Sequence, residues 1–230
     1  MRLASALKAD LLFQYRHGFY AVYAIVSLLY ILILRNIPAN TVSTASVFVI
    51  LSDTSVLGFF FIGGILILER GQGILNALFI TPLKIWEYLF SKTVSLSLLA
   101  LAASLMIIVV GTGRVNNLLP FGAGVLLTSS LFTLLGSSIA SRSASVNSYF
   151  GNAMVYLLPT FLPLLGFFGI YETPFWMIIP SQPVITLTLS VFGEISTAEI
   201  ALSLFVLVVW NAIAAFTAHK FFSSSLSGKL

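Results

Sequence analysis

Cysteine is missing from all 230 residues. Disulfides, thiolate metal sites and cysteine nucleophiles are thereby excluded. Charge is scarce as well: acidic and basic side chains make up 8% of the chain, against about a quarter in a soluble globular domain. Histidine occurs twice, at His17 and His219, with no cysteine nearby to complete a metal site. The H-E-x-x-H and G-x-S-x-G arrangements and paired glutamates are absent, so neither a zinc protease nor an intramembrane hydrolase is expected. No G-x-x-x-x-G-K-[ST] phosphate loop occurs; the closing Gly228-Lys229-Leu230 lacks the earlier glycine. These absences predict a chain that is no enzyme, with no catalytic or metal-binding residues and no cofactor of its own. If ATP drives it, another polypeptide hydrolyses the nucleotide.

Hydrocarbon is what the chain has in quantity. Hydrophobic residues make up 59% and the mean hydropathy is +1.06, which points to a polytopic membrane protein. A bilayer core about 30 Å thick takes about 20 apolar residues per helix. Six runs qualify: roughly 18–34, 47–68, 89–110, 118–140, 147–170 and 200–218. They are continuously apolar rather than alternating, and each is about twice as long as a barrel strand needs. The predicted fold class is therefore an all-α membrane protein of six transmembrane helices, one domain over 1–230.

Basic residues set the orientation. Nine of the eleven fall on the side of the N-terminus, and only Arg35 and Arg114 on the other. The positive-inside rule then puts both termini in the cytoplasm. Topology accounts for most of the net charge of +4, so nucleic acid is not an expected partner. Residues 1–17 mix Arg2, Lys8, Asp10, Gln14 and Arg16 with Leu3, Leu7, Leu11 and Leu12. They read as an interfacial amphipathic helix on membrane lipid rather than a cleaved leader. The outer link 171–199 holds apolar stretches too short to span and bracketed by prolines. It predicts a re-entrant or interfacial helical hairpin, or else a loop folded over the helix ends.

Residues 69–92 are the most informative stretch: Glu69-Arg70-Gly71-Gln72-Gly73-Ile74-Leu75, then Thr81-Pro82-Leu83, Glu87 and Lys92. Glu69 and Arg70 mark where the second span leaves the lipid. Gly71 and Gly73 allow a sharp turn. Ile74, Leu75, Leu78 and Phe79 recur at helical spacing, predicting an amphipathic surface helix that Pro82 stops. Glu87 is placed to pair with Lys84 or Lys92.

This pattern resembles the loop after the second span in permeases of type-2 ABC exporters, E-R-x-x-G-x-L-x-x-L followed by T/P-L, an acidic residue and a lysine. Asn76 and Ser91 depart from it, standing where an acidic residue and a glycine are usual. The resemblance implies that 69–88 is a cytoplasmic coupling segment, with Glu69, Arg70, Gly73, Ile74, Leu75, Leu78 and Phe79 docking on a separate ABC ATPase subunit that binds ATP and Mg. It implies a dimeric pathway, built with a second permease copy or a related permease, in the cell membrane of a prokaryote. Gln14-Tyr15-Arg16-His17-Gly18-Phe19-Tyr20 and Ile80-Thr81-Pro82-Leu83 look like small drug-export permeases, the fluoroquinolone type among them. The substrate implied is a drug or other small amphipathic molecule, with a lipid-linked glycan as the alternative.

Candidate pathway residues lie on the second and fifth spans. Asp53 is an acidic side chain well inside a predicted span, either lining a watery cavity or sitting at headgroup level beside Ser52 and Thr54. In the first case an ion-coupled transporter without an ATPase is a further alternative. Phe60 belongs to an aromatic run suited to amphipathic substrates. Asn152 and Tyr156 are polar groups on the fifth span, and Pro159 and Pro163 bend it. Gly58, Gly63 and Gly64 favour close helix approach, across a dimer or within one subunit.

Overall fold

The computed structural model describes residues 2–74, 83–193 and 195–227, without the side chains of 225–227. All secondary structure among them is helical, and six helical stretches are long and apolar enough to cross a membrane. The protein is an all-α membrane protein, as its uninterrupted apolar runs predict.

The surface helix α1 (Arg2–Arg16) leads through Gly18, at φ +76°, into the first span, α2 (Phe19–Asn36). The second span begins earlier than hydropathy suggests. A 3-10 turn at Ala39–Thr41 opens directly into α3 (Val42–Leu51). The Ser43-Thr44-Ala45-Ser46 stretch reads as polar loop, but its side chains are small enough to pack, and Ser46 is fully buried. A π-helical turn, Ser52–Leu57, joins α3 to α4 (Gly58–Gly71). Wide turns displace the normal backbone pairing. Here Ser52 Oγ donates to Val49 O at 2.9 Å and Thr54 Oγ1 to Ile50 O at 2.8 Å, so hydroxyls serve the nearby carbonyls where water is absent.

The third and fourth spans are α5 (Ile85–Thr112) and α6 (Leu118–Ala140). The fifth is α7 (Val146–Thr160), then α8 (Pro163–Phe167). Pro159 has no N–H to give to the preceding turn, and Phe161 and Leu162 fall back on i−3 bonds to Leu158 and Pro159. Next come a 3-10 turn, Pro174–Ile178, and a short buried helix, α9 (Ser181–Leu189), which packs against α3, α6 and α10 (Thr197–Ser227).

Helix α6 is the hub, packing on α4, α5 and α10. One core cluster gathers around Phe59, Ile62, Leu131 and Tyr149, a second around Ile50, Ile107 and Phe121. The Tyr149 ring fills a slot that only glycines leave open. A Cβ on Gly63 would lie 2.1 Å from the ring, and one on Gly136 would lie 2.6 Å from Ile62 and 3.0 Å from the Tyr149 hydroxyl. That hydroxyl donates to Phe59 O at 2.6 Å. In lipid, where tails are as apolar as leucine, such contact and hydrogen bonding hold helices together.

Candidate functional site

Three helices converge on Lys92. Its Nζ lies 2.6 Å from Glu69 Oε1 on α4 and 2.8 Å from Asp10 Oδ1 on α1. The lysine is 2% exposed, so this is a buried triad. Its remaining lone pairs are served by neighbours. Tyr88 Oη donates to Glu69 Oε2 and Ser91 Oγ to Asp10 Oδ2, both at 2.5 Å. Tyr88, Ser91, Lys92 and Ser95 recur at three- and four-residue spacing and so share one face of α5; Asp10 and Gln14 share one face of α1. Gln14 Nε2 closes the seam, donating to Ser95 Oγ at 2.7 Å. The ammonium also sits 4.8 Å from the Tyr88 ring centre, within cation–π range.

Arg70, one residue on, turns away from the triad. Its guanidinium donates to Ser143 O at 2.8 Å, Ser141 O at 3.0 Å and Ala140 O at 3.2 Å. It thus caps the C-terminal carbonyls of α6 with a cation, which also suits the helix dipole. Glu69 and Arg70 stand in the last turn of the second span, which ends at Gly71; there Glu69 is buried between helices and Arg70 is committed to the end of α6. Glu87 does not reach Lys92, which lies five residues and about 140° further around α5. Its carboxylate accepts from the Lys84 backbone N–H at 2.9 Å and caps α5.

Gly73 takes φ +69° after α4, while Gly71 remains helical, so only the second of the two glycines supplies the turn. Ile74 is half-buried. Leu75, Leu78 and Phe79, and with them most of the expected amphipathic helix, lie outside the described residues.

The structure separates the pathway candidates. Asp53, fully buried, accepts from Ser104 Oγ at 3.1 Å, and its Oδ1 has no hydrogen-bond partner. It lies eleven residues into the helix from Val42, within the π-helical turn Ser52–Leu57. Phe60 stacks on Phe150 at 4.8 Å between centroids. Pro159 is exposed and Pro163 buried. Asn152 and Tyr156 face a cleft of about 500 Å³ between α7 and α10, floored by Phe59 and Phe132 and bordered by Arg142. Gly63 packs against Tyr149 of the same chain, and Gly64 faces open space.

Residues 1–227 match the model of the fluoroquinolones export permease protein family. The chain belongs to this family. The permease is 30% identical over 198 residues to the fluoroquinolones export permease proteins of two Mycobacterium tuberculosis strains, CDC 1551 / Oshkosh and ATCC 25618 / H37Rv. The alignment covers 86% of this permease and 84% of each relative. Six spans and this membership make it a multi-pass membrane transport protein of a drug-export family rather than an enzyme. Asp10, Gln14, Tyr88 and Ser91 are the permease residues that sequence reading missed. Asp10 and Gln14 carried one signal, a polar pair at i, i+4 on an otherwise leucine-rich helix.

Proposed function

We propose that this permease is the membrane subunit of an ATP-driven ABC exporter of drugs or other small amphipathic molecules. Two copies, or this chain and a related permease, enclose the pathway in a prokaryotic cell membrane, with both termini cytoplasmic. A separate ATPase subunit binds ATP and Mg and docks on the segment that follows Glu69 and Arg70.

Beyond family membership, the observation that carries this reading is the Asp10–Lys92–Glu69 triad at the root of that segment. A push on residues 71–80 reaches α4 first. Glu69 is bonded through Lys92 to α1 and α5, and Arg70 to the end of α6, so the push is shared by four helices instead of bending one. Coupling then requires the ATPase's two states to contact this base differently.

The test is affinity capture of the tagged permease from its native membrane, followed by mass spectrometry. Recovery of a stoichiometric soluble ATPase, lost in Leu75→Asp, supports the reading; recovery of the permease alone refutes it. A second reading, an ion-coupled carrier, is favoured by one observation, the unpartnered Oδ1 of Asp53 in the bundle interior. Transport that follows an ion gradient without ATP would favour it.

A further inference from the structure

The cleft between α7 and α10 has a specific chemistry. Helix α7 packs on α4 and α6, and α10 on α6 and α9, which leaves a gap open toward lipid. Its volume, about 500 Å³, lies in the range of small-molecule sites, roughly 300–1,000 Å³. Along α10 it extends from Phe221 to Trp210, eleven residues or about 17 Å. Rings line it at several levels: Phe59 and Phe132 on the floor, Tyr156 on α7, Trp210 on α10. Trp210 is held in place, its indole N–H donating to Ile178 O at 2.7 Å.

One end of the cleft is cationic. Arg142, two residues past the end of α6, borders it with its guanidinium 3.6 Å from the Phe221 ring centre. Arg142 is exposed and forms no ion pair among the described residues. Arg70, in contrast, spends its guanidinium on backbone carbonyls. An aromatic slot ending in an uncommitted, planar, two-pronged donor suits a flat ring system bearing a carboxylate. A phospholipid would find flat aromatic walls of little use, and anionic headgroups are ordinarily gathered by clusters of basic residues, whereas Arg142 is the charged residue among the described lining.

We propose that this cleft is an entry site within a single permease chain, binding planar aromatic carboxylates from the cytoplasmic leaflet, with Arg142 holding the carboxylate and Phe59, Phe132, Tyr156 and Trp210 holding the rings. The choice of ligand rests on the drug-export reading. Fluoroquinolones, for which the relatives are named, are planar aromatic carboxylates.

The chain has no cysteine, so Thr217→Cys gives the full-length permease a single thiol on the cleft wall. The assay is its rate of maleimide labelling in phosphatidylcholine nanodiscs, with norfloxacin or norfloxacin methyl ester added. Norfloxacin slows labelling, and the ester requires a concentration higher by about ten- to a hundredfold, the worth of one hydrogen-bonded charge pair. Adding Arg142→Gln removes that preference, and Arg142→Lys keeps part of it, which separates lost charge from disturbed packing. Equal protection by acid and ester would overturn the proposal. So would protection by phosphatidylglycerol alone, which marks a lipid site, or ready cross-linking of two Thr217→Cys chains, which marks a contact between copies. No ATPase is present, so failure here leaves the coupling reading to the capture experiment.

Discussion

Replacing Lys92 by methionine tests the base of the bundle directly. Methionine fills much of the space but leaves two carboxylates facing each other. Glu69 keeps its bond from Tyr88 and Asp10 its bond from Ser91, while the charge that both share, 2.6 and 2.8 Å away, is gone. Removing one partner of a buried ion pair costs about 3–5 kcal/mol, because the remaining charge is uncompensated. With two such carboxylates the upper part of that range applies. In a chain of this size each kcal/mol moves the melting temperature by about 2–4 °C, so a fall of roughly 10–20 °C is expected. The triple variant Asp10→Asn, Glu69→Gln, Lys92→Met removes the charges together and recovers most of the loss, since neutral groups of similar volume often replace a buried ion cluster without penalty. The assay is thermal unfolding of the purified permease in detergent, followed by intrinsic fluorescence. A single variant that melts with the wild type, or a triple variant no better than the single, would refute the triad as a structural tie.

Gly63→Ala forces a methyl into the Tyr149 ring and destabilises by about 1–3 kcal/mol or more; adding Tyr149→Ala relieves the clash, and melting curves of the two variants check this. Arg70→Gln frees three carbonyls at the end of α6 and costs about 1–3 kcal/mol. It also lowers ATP-driven drug transport while the ATPase still co-purifies, and full transport would contradict the shared-push account. Asp53→Asn keeps shape and packing, so folding and ATPase capture are retained while the range of transported drugs changes. Unchanged transport of every drug tested would leave Asp53 a packing role only.

The six spans are legible because apolar runs of this length have few other uses. Their limits were less legible. Serine and threonine lower hydropathy, yet they are small and form helix when packed, so α3 begins five residues before the apolar run at Val47. Pro159 and Pro163 announced the break in the fifth span correctly. The Asp10–Lys92 pair could not be read at all. It joins residues 82 positions apart, and a carboxylate on a surface helix looks the same whether it faces water or a buried lysine. Lys92 and Glu69 stand out in the sequence only as members of a motif, and nothing in their spacing shows that they pair with each other. The cleft was half visible: Asn152 and Tyr156 were chosen for polarity in an apolar span, but Arg142 entered only as a topological charge.

The wide turn at Ser52–Leu57 makes the second span behave as two rods meeting at a dislocation. One surplus residue sits in an otherwise regular lattice of hydrogen bonds, and the defect can move by exchanging one bond for the next without opening the whole helix. Each one-residue step turns the segment it crosses by about 100° and advances it by about 1.5 Å. A step of the defect can therefore turn Asp53, which sits within it, while the lower rod, pinned through Glu69 and Arg70, stays still. The hydroxyls of Ser52 and Thr54, already bonded to carbonyls beside the defect, smooth such a step as solvent would outside the membrane.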